Sequence, residues 1–273
     1  MKTSVLKVFC SVFAIVGLMT SCLGDSDSSY SSSREFTYIN QENGVKYAVT
    51  SVGYLMNSSL DALQVGSCYY IAYKIKTGSG TGVFQAESLD VLDKGRPIPS
   101  SSLIFDKPYS NLVGENRNDT ITPLTLQFGA WYPGTMYGDN WEINYRVNLK
   151  EDEKVKPYFY FDPAGQKKDD GVTPLEKNQI IIDVRFAYNG ERNTSSVPTV
   201  AEDLTAVGLL QALRTRTDKF SPVYDSDKDY VNVAVRFRYQ KNQGEGKPAS
   251  TEYIGSWTSS SSIYFIQFTK SSN

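Results

Sequence analysis

Glu142, Asp162 and Asp183 stand on alternating patterns or at their ends, and two such carboxylates can cleave a glycosidic bond without an imidazole. That matters because the 273-residue chain contains no histidine. Ser-His-Asp and Cys-His hydrolysis need an imidazole that shuttles a proton near neutral pH. Zinc sites built on histidine are ruled out with it, and three cysteines cannot form a four-thiolate site. No GxSxG, P-loop, GxGxxG or SxxK motif occurs. Each of the three carboxylates also reads simply as a polar residue on a solvent-facing strand side. No catalytic residue is therefore assigned, and neither a metal nor another cofactor is expected. Asp225, Asp227 and Asp229 alternate as in a calcium loop, but Tyr230 and Arg236 stand where an EF-hand needs Gly and Glu. An acidic turn leading into the next strand fits better.

The remaining chemistry is recognition. Residues 128–141, FGAWYPGTMYGDNW, cluster aromatic rings among glycines. On such a loop Trp131 and Tyr132 are candidate ligand contacts, since a flat ring can stack on a sugar face while a polar tip bonds hydroxyls. The alternative is a loop whose aromatics anchor it, and Trp141, which opens an alternating strand, reads as core. A net charge of −2 offers no basic field for phosphates, so nucleic acid is excluded as a partner. A glycan or another surface protein is left.

The first thirty residues carry the most specific pattern. Lys2 and Lys7 precede the apolar run VFCSVFAIVGLM, residues 8–19, and Thr20 and Ser21 follow it. That is the anatomy of an export signal over residues 1–21, shorter than the roughly 20 apolar residues that span a bilayer. Met19-Thr20-Ser21-Cys22 resembles the lipobox of bacterial lipoproteins. The resemblance implies that Cys22 becomes the N-terminus and the lipid attachment point, carrying diacylglycerol on sulfur and an acyl chain such as palmitate on nitrogen. Several buried chains at about 0.8 kcal/mol per CH₂ hold a protein firmly to a membrane. Cleavage near Ser21 with an incidental Cys22 is the alternative. Asp25 and Asp27 resemble the acidic signal that sends lipoproteins of Bacteroides-type bacteria to the outer leaflet of the outer membrane, which implies display at the cell surface. Residues 22–34 read as a flexible acidic and serine-rich tether. With Cys10 removed and Cys22 acylated, only Cys68 is left, and no intrachain disulfide is available. In SCYYIAYKI it reads as a small buried hydrophobe.

Beyond the tether, period-two alternation dominates. Strands are expected over 46–56, 67–76, 82–93, 121–131, 141–149, 155–162, 179–188, 230–240 and 262–269. In YVNVAVRFRYQ, Val231, Val233, Val235, Phe237 and Tyr239 share one face, and Asn232, Arg236, Arg238 and Gln240 mostly face water. One helix is expected over 200–215, where Leu204, Val207, Leu210 and Leu213 recur near helical spacing and Thr199 with Glu202 forms a capping box. The polar, turn-rich segment 106–119 marks a linker. The fold class is mostly β: a small barrel over 35–115, then an antiparallel β-sandwich over 116–273 with the one helix. Residues 167–177 read as a long exposed hairpin loop. Asp119-Thr120-Ile121 resembles the short O-glycosylation acceptor of Bacteroides-type bacteria, placing Thr120 at the linker as a candidate modification site.

The lipid-modified Cys22, acidic tether, small barrel and larger sandwich together resemble the NigD-like lipoproteins. The local likeness is best at LQVGSCYYIAYKI and DNWEINYRVNL. The resemblance implies an OB-type N-terminal barrel, a C-terminal β-sandwich, a membrane partner through the lipid anchor, and a binding or interaction role outside the cell. It implies no reaction.

Overall fold

The computed structural model describes residues 29–77, 82–105, 120–129, 137–193, 200–215, 220–257 and 264–270. The mostly β class holds: the described residues form a closed five-stranded barrel, further sheets and one short α-helix. The chain divides into two units, 1–95 with 136–138, and 96–135 with 139–273.

The first unit is a barrel of β1 (Ser29–Glu42), β2 (Val45–Thr50), β3 (Gly53–Met56), β4 (Cys68–Lys76) and β5 (Val83–Lys94). The order is β1-β2-β3-β5-β4, the order of an OB-type barrel, with β3 and β5 parallel and the other pairs antiparallel. Asn43 and Gly44 both take positive φ, 50° and 84°, as a two-residue hairpin turn requires. Ile39, Ala48, Leu55, Ile71 and Ile75 fill the interior, and Leu60 joins them from the 3₁₀ turn Ser58–Ala62. Bulges in β1 and along the β4–β5 ladder supply the bending that closure demands. Gly53 has φ 136°, and a Cβ there would collide with the Gly82 carbonyl, whose oxygen accepts from Tyr54 N at 2.8 Å.

Two expectations are corrected here. Residues 29–34 are not tether: Ser29 to Ser32 pair with Lys76 to Tyr73, and the Tyr30 ring lies 6.0 Å from that of Tyr73. The barrel also ends at Gly95 rather than at 115. Arg96 O and Ile98 N exchange hydrogen bonds with Val207, and Phe105 is buried in the second core. The polar 106–119 segment, which suggested a later boundary, lies outside the described residues.

The second unit holds two sheets. The larger runs β14 (Ser250–Ile254), β13 (Tyr230–Lys241), β11 (Gln179–Tyr188), β10 (Val155–Tyr160) and β6 (Leu103–Ile104), with β15 (Tyr264–Thr269) on β13 and β7 (Thr120–Ile121) on β11. The smaller is β12 (Val200–Gly208), β9 (Trp141–Leu149) and β8 (Thr125–Gly129). Most pairings are antiparallel; β11–β13 and β10–β6 are parallel. One core lies between the sheets: Trp141, Ile143 and Val147 of β9 and Phe128 of β8 meet Ile182, Val184, Val235, Phe237 and Ile266. Phe128 stacks on Phe237 at 3.9 Å, and Trp141 meets Phe237 edge-on at 5.7 Å. Trp141 is core, as its position in the alternation predicts.

The expected helix over 200–215 is mostly strand. Val200 to Gly208 pair residue by residue with Leu149 to Trp141, and only Leu210–Thr215 is helical. Positive φ at Gly208 and Leu209 ends the strand, and Leu210 and Leu213 then bury on successive turns. The apolar spacing that suggested one helix therefore spans two elements. Thr199, the expected cap, lies outside the described residues.

Candidate functional site

The polar face of the larger sheet gathers the charges that the sequence scatters. Parallel pairing puts Asp183 of β11 opposite Arg238 of β13, and Ile181 opposite Arg236 two residues back. Arg185 follows Asp183 on the same face. The alternate positions Ile180, Ile182, Val184, Val235 and Phe237 point into the core, so these charged side chains must project from the opposite surface.

That surface is not open to water. Asp183 is 4% exposed and Arg185 8%. Asp183 accepts two hydrogen bonds from Arg238, Nε to Oδ1 at 2.7 Å and Nη2 to Oδ2 at 2.8 Å. Arg185 Nη2 donates to Oδ1 at 3.3 Å. The fork-on-fork geometry is the strong form of this contact. It raises the Arg238 pKa above its ordinary value, chiefly through the Asp183 hydrogen bond. Removing a carboxylate's charge partners in such a setting is costly, so the triad acts as one unit.

Arg236 is built differently. Along one edge of β13, β15 pairs from Tyr230 to Val235 and β14 from Phe237 to Lys241. Arg236 falls in the gap between those ladders. Gly255, with φ 97°, turns the chain away there; a Cβ would press on the Val235 carbonyl at 2.9 Å. The departing segment brings Trp257 over the guanidinium at 5.3 Å, with Tyr253 at 4.2 Å. The contacts are cation–π interactions between a planar cation and ring faces. Arg236 donates through Nη1 to both oxygens of Asp169, at 3.1 and 3.2 Å. Its Nε is buried and has no hydrogen-bond partner. The Arg236 side chain is 14% exposed, against 54% for Asp169.

Asp169 comes from the connection between β10 and β11, exposed over much of its length, as the hairpin-loop reading of 167–177 expects. The neighbouring Asp170 sets its shape, accepting from the Thr173 hydroxyl and from the Val172 and Thr173 amides. Those bonds, the hydroxyl first, hold the Asp170 carboxyl down at about 2. Gln166 ties the same connection to the sheet through both Ile181 backbone groups.

Arg236 and Arg238 thus do not mostly face water, as the alternation of β13 suggests; they are largely withdrawn from it. The signal that could have revealed this is in IIIDVRFA, a run too apolar for a half-wet strand. Asp and Arg inside it call for buried partners.

The other candidates are dispersed. Cys22, Trp131 and Tyr132 lie outside the described residues. Tyr137, from the same aromatic loop, is buried against Phe36 in the barrel unit, with ring centroids 5.4 Å apart. Thr120 is not in a linker. It is half-buried in β7, opposite Ala187 of β11, where Ile121 packs on the core. Glu142 alternates with core residues of β9 and so lies on the outer face of the smaller sheet. Asp183 lies on the outer face of the larger one, so the core separates the two. Asp162 caps a 3₁₀ turn through Ala164 N at 3.0 Å. Asp225 pairs with Lys228 at 3.2 Å in an exposed turn. Cys68 is buried, as its strand pattern predicts. On the barrel, Tyr47 and Tyr54 meet edge-on at 5.1 Å and 71°, which is not a flat stacking platform.

No family model matches the chain, and no curated protein sequence does. Solved structures do share the fold. An uncharacterized protein from Parabacteroides merdae ATCC 43184 aligns with a TM-score of 0.51 at 11% identity, over 87% of this chain and 99% of its own. A "Putative lipoprotein" from Bacteroides fragilis NCTC 9343 aligns with a TM-score of 0.51 at 9% identity, over 89% of this chain and 100% of its own. The barrel and the further sheets are therefore an arrangement this chain has in common with these two proteins.

Proposed function

We propose that this chain is a non-enzymatic, lipid-anchored binding protein of NigD-like type, held in the outer membrane through Cys22 and displayed at the cell surface. The observation that carries the reading is the run Met19-Thr20-Ser21-Cys22 closing an apolar leader, followed by Asp25 and Asp27. An OB-type barrel and a larger β-unit, and a fold neighbour described as a "Putative lipoprotein", support it. The role is interaction, because the polar groups drawn together on the larger sheet are arranged as ion pairs and cation–π contacts rather than as an acid and a base. Growth with a labelled fatty acid tests the anchor: the wild-type chain takes up label and sediments with outer membranes, and Cys22→Ser does neither. Label retained by Cys22→Ser overturns it. Protease added to whole cells tests display, which predicts digestion of the chain without lysis.

A further inference from the structure

The geometry points to Arg236 as the receptor for the carboxylate of an acidic sugar, with Asp169 occupying that place when no ligand is bound. Arg185, Arg236 and Arg238 share the face with Asp169 and Asp183. Asp183 is committed to Arg238 and Arg185 at 2.7–3.3 Å, so among the described residues Asp169 is the carboxylate that answers Arg236. A withdrawn guanidinium with an unsatisfied Nε is thus matched to a carboxylate that is mostly in water. The exposed partner is the one solvent and ligands can replace. Once it swings away, the withdrawn Arg236 guanidinium is left without its carboxylate, and another anion is favoured in that place.

The chemistry of the surroundings selects the anion. Guanidinium recognises planar carboxylate in a fork. Tyr253 and Trp257 are half-buried, and their rings offer apolar surface beside that fork, which suits the CH face of a pyranose. A uronate combines both features in one ring. The inference rests on reading the chain as a binding protein and not on its anchor. An unlabelled Cys22 would leave it standing, and failure to bind uronate would leave the anchor standing.

The test is calorimetric titration of the detergent-solubilised full chain with oligogalacturonate. Its methyl-esterified form serves as the neutral control and poly-glutamate as the acidic peptide control. Oligogalacturonate is expected to bind, more weakly as salt is raised, and the ester is not. Arg236→Gln is expected to lose about tenfold or more in affinity, as removal of a charged hydrogen bond does, and Trp257→Ala to lose severalfold. Asp169→Asn, at an exposed site that leaves the fold intact, is expected to tighten binding severalfold because it removes the competing carboxylate. Absence of binding, equal binding of the ester or of poly-glutamate, or an Asp169→Asn variant no tighter than wild type overturns the proposal.

Discussion

Asp183 is held in place by its neighbours. Its carboxylate is almost fully buried, and Arg238 and Arg185 supply the donors that water would otherwise provide. Deleting it strands two guanidiniums, one of them buried. Asp183→Ala is therefore expected to destabilise the larger β-unit by about 3 kcal/mol or more, read as a lowered denaturation midpoint. A change within about 0.5 kcal/mol, the range of ordinary surface substitutions, would show that the triad carries no such weight. Glu153 makes a pH-dependent case. Burial opposes its ionisation, but the Lys150 amide, Arg192 and the Asn193 amide bond its oxygens and hold the carboxyl below its ordinary value of 4.5. Such a group contributes stability that is complete above the unfolded pKa and is lost as pH falls through the lower native one. Between neutrality and acid, wild type is expected to lose stability more steeply below pH 4.5 than Glu153→Gln. Parallel curves of denaturation midpoint against pH would refute this.

Elements carry constraints that no single contact does. The parallel β3–β5 seam closes the barrel, and it closes because Gly53 lets the Gly82 carbonyl approach. Gly53→Ala meets both a φ of 136° and that carbonyl, so a loss of about 1–3 kcal/mol is expected, measurable by thermal melting. A chain trimmed to begin at Arg34 would lose the β1 rungs opposite Tyr73 to Lys76 and should melt lower than one beginning before Ser29. The strands that alternate, such as β4, β9 and β13, were legible because one face is core and the period shows it. The first half of β1 was hidden because SSSRE has no apolar period, and there pairing with β4 rather than burial makes it a strand. β12 was misread because Leu204, Val207, Leu210 and Leu213 keep helical spacing across a strand, a left-handed break and a helix. The cluster around Arg236 was invisible for a further reason. It depends on β11 and β13 being parallel neighbours and on Gly255 turning Trp257 back, and neither leaves a local pattern.

At the scale of the whole chain, two cores are drawn from separate sets of side chains. The barrel uses Ile39, Leu55, Ile71 and Leu60, and the second unit uses Trp141, Val184, Val235 and Phe237. No disulfide joins them among the described residues, where Cys68 is buried in the barrel. Damage to one core should then leave the side-chain packing of the other unchanged. Gly53 and Asp183 share no partner: one holds the barrel seam, the other a charge triad on the larger sheet. For such sites the effects of substitution add within about 0.5 kcal/mol. The double variant Gly53→Ala/Asp183→Ala is expected to lose the sum of the two single losses, measured from denaturant curves fitted with the same slope. If the double loss falls short of or exceeds that sum by more than about 1 kcal/mol, the units are energetically coupled. A change on the larger sheet would then also be felt by the barrel.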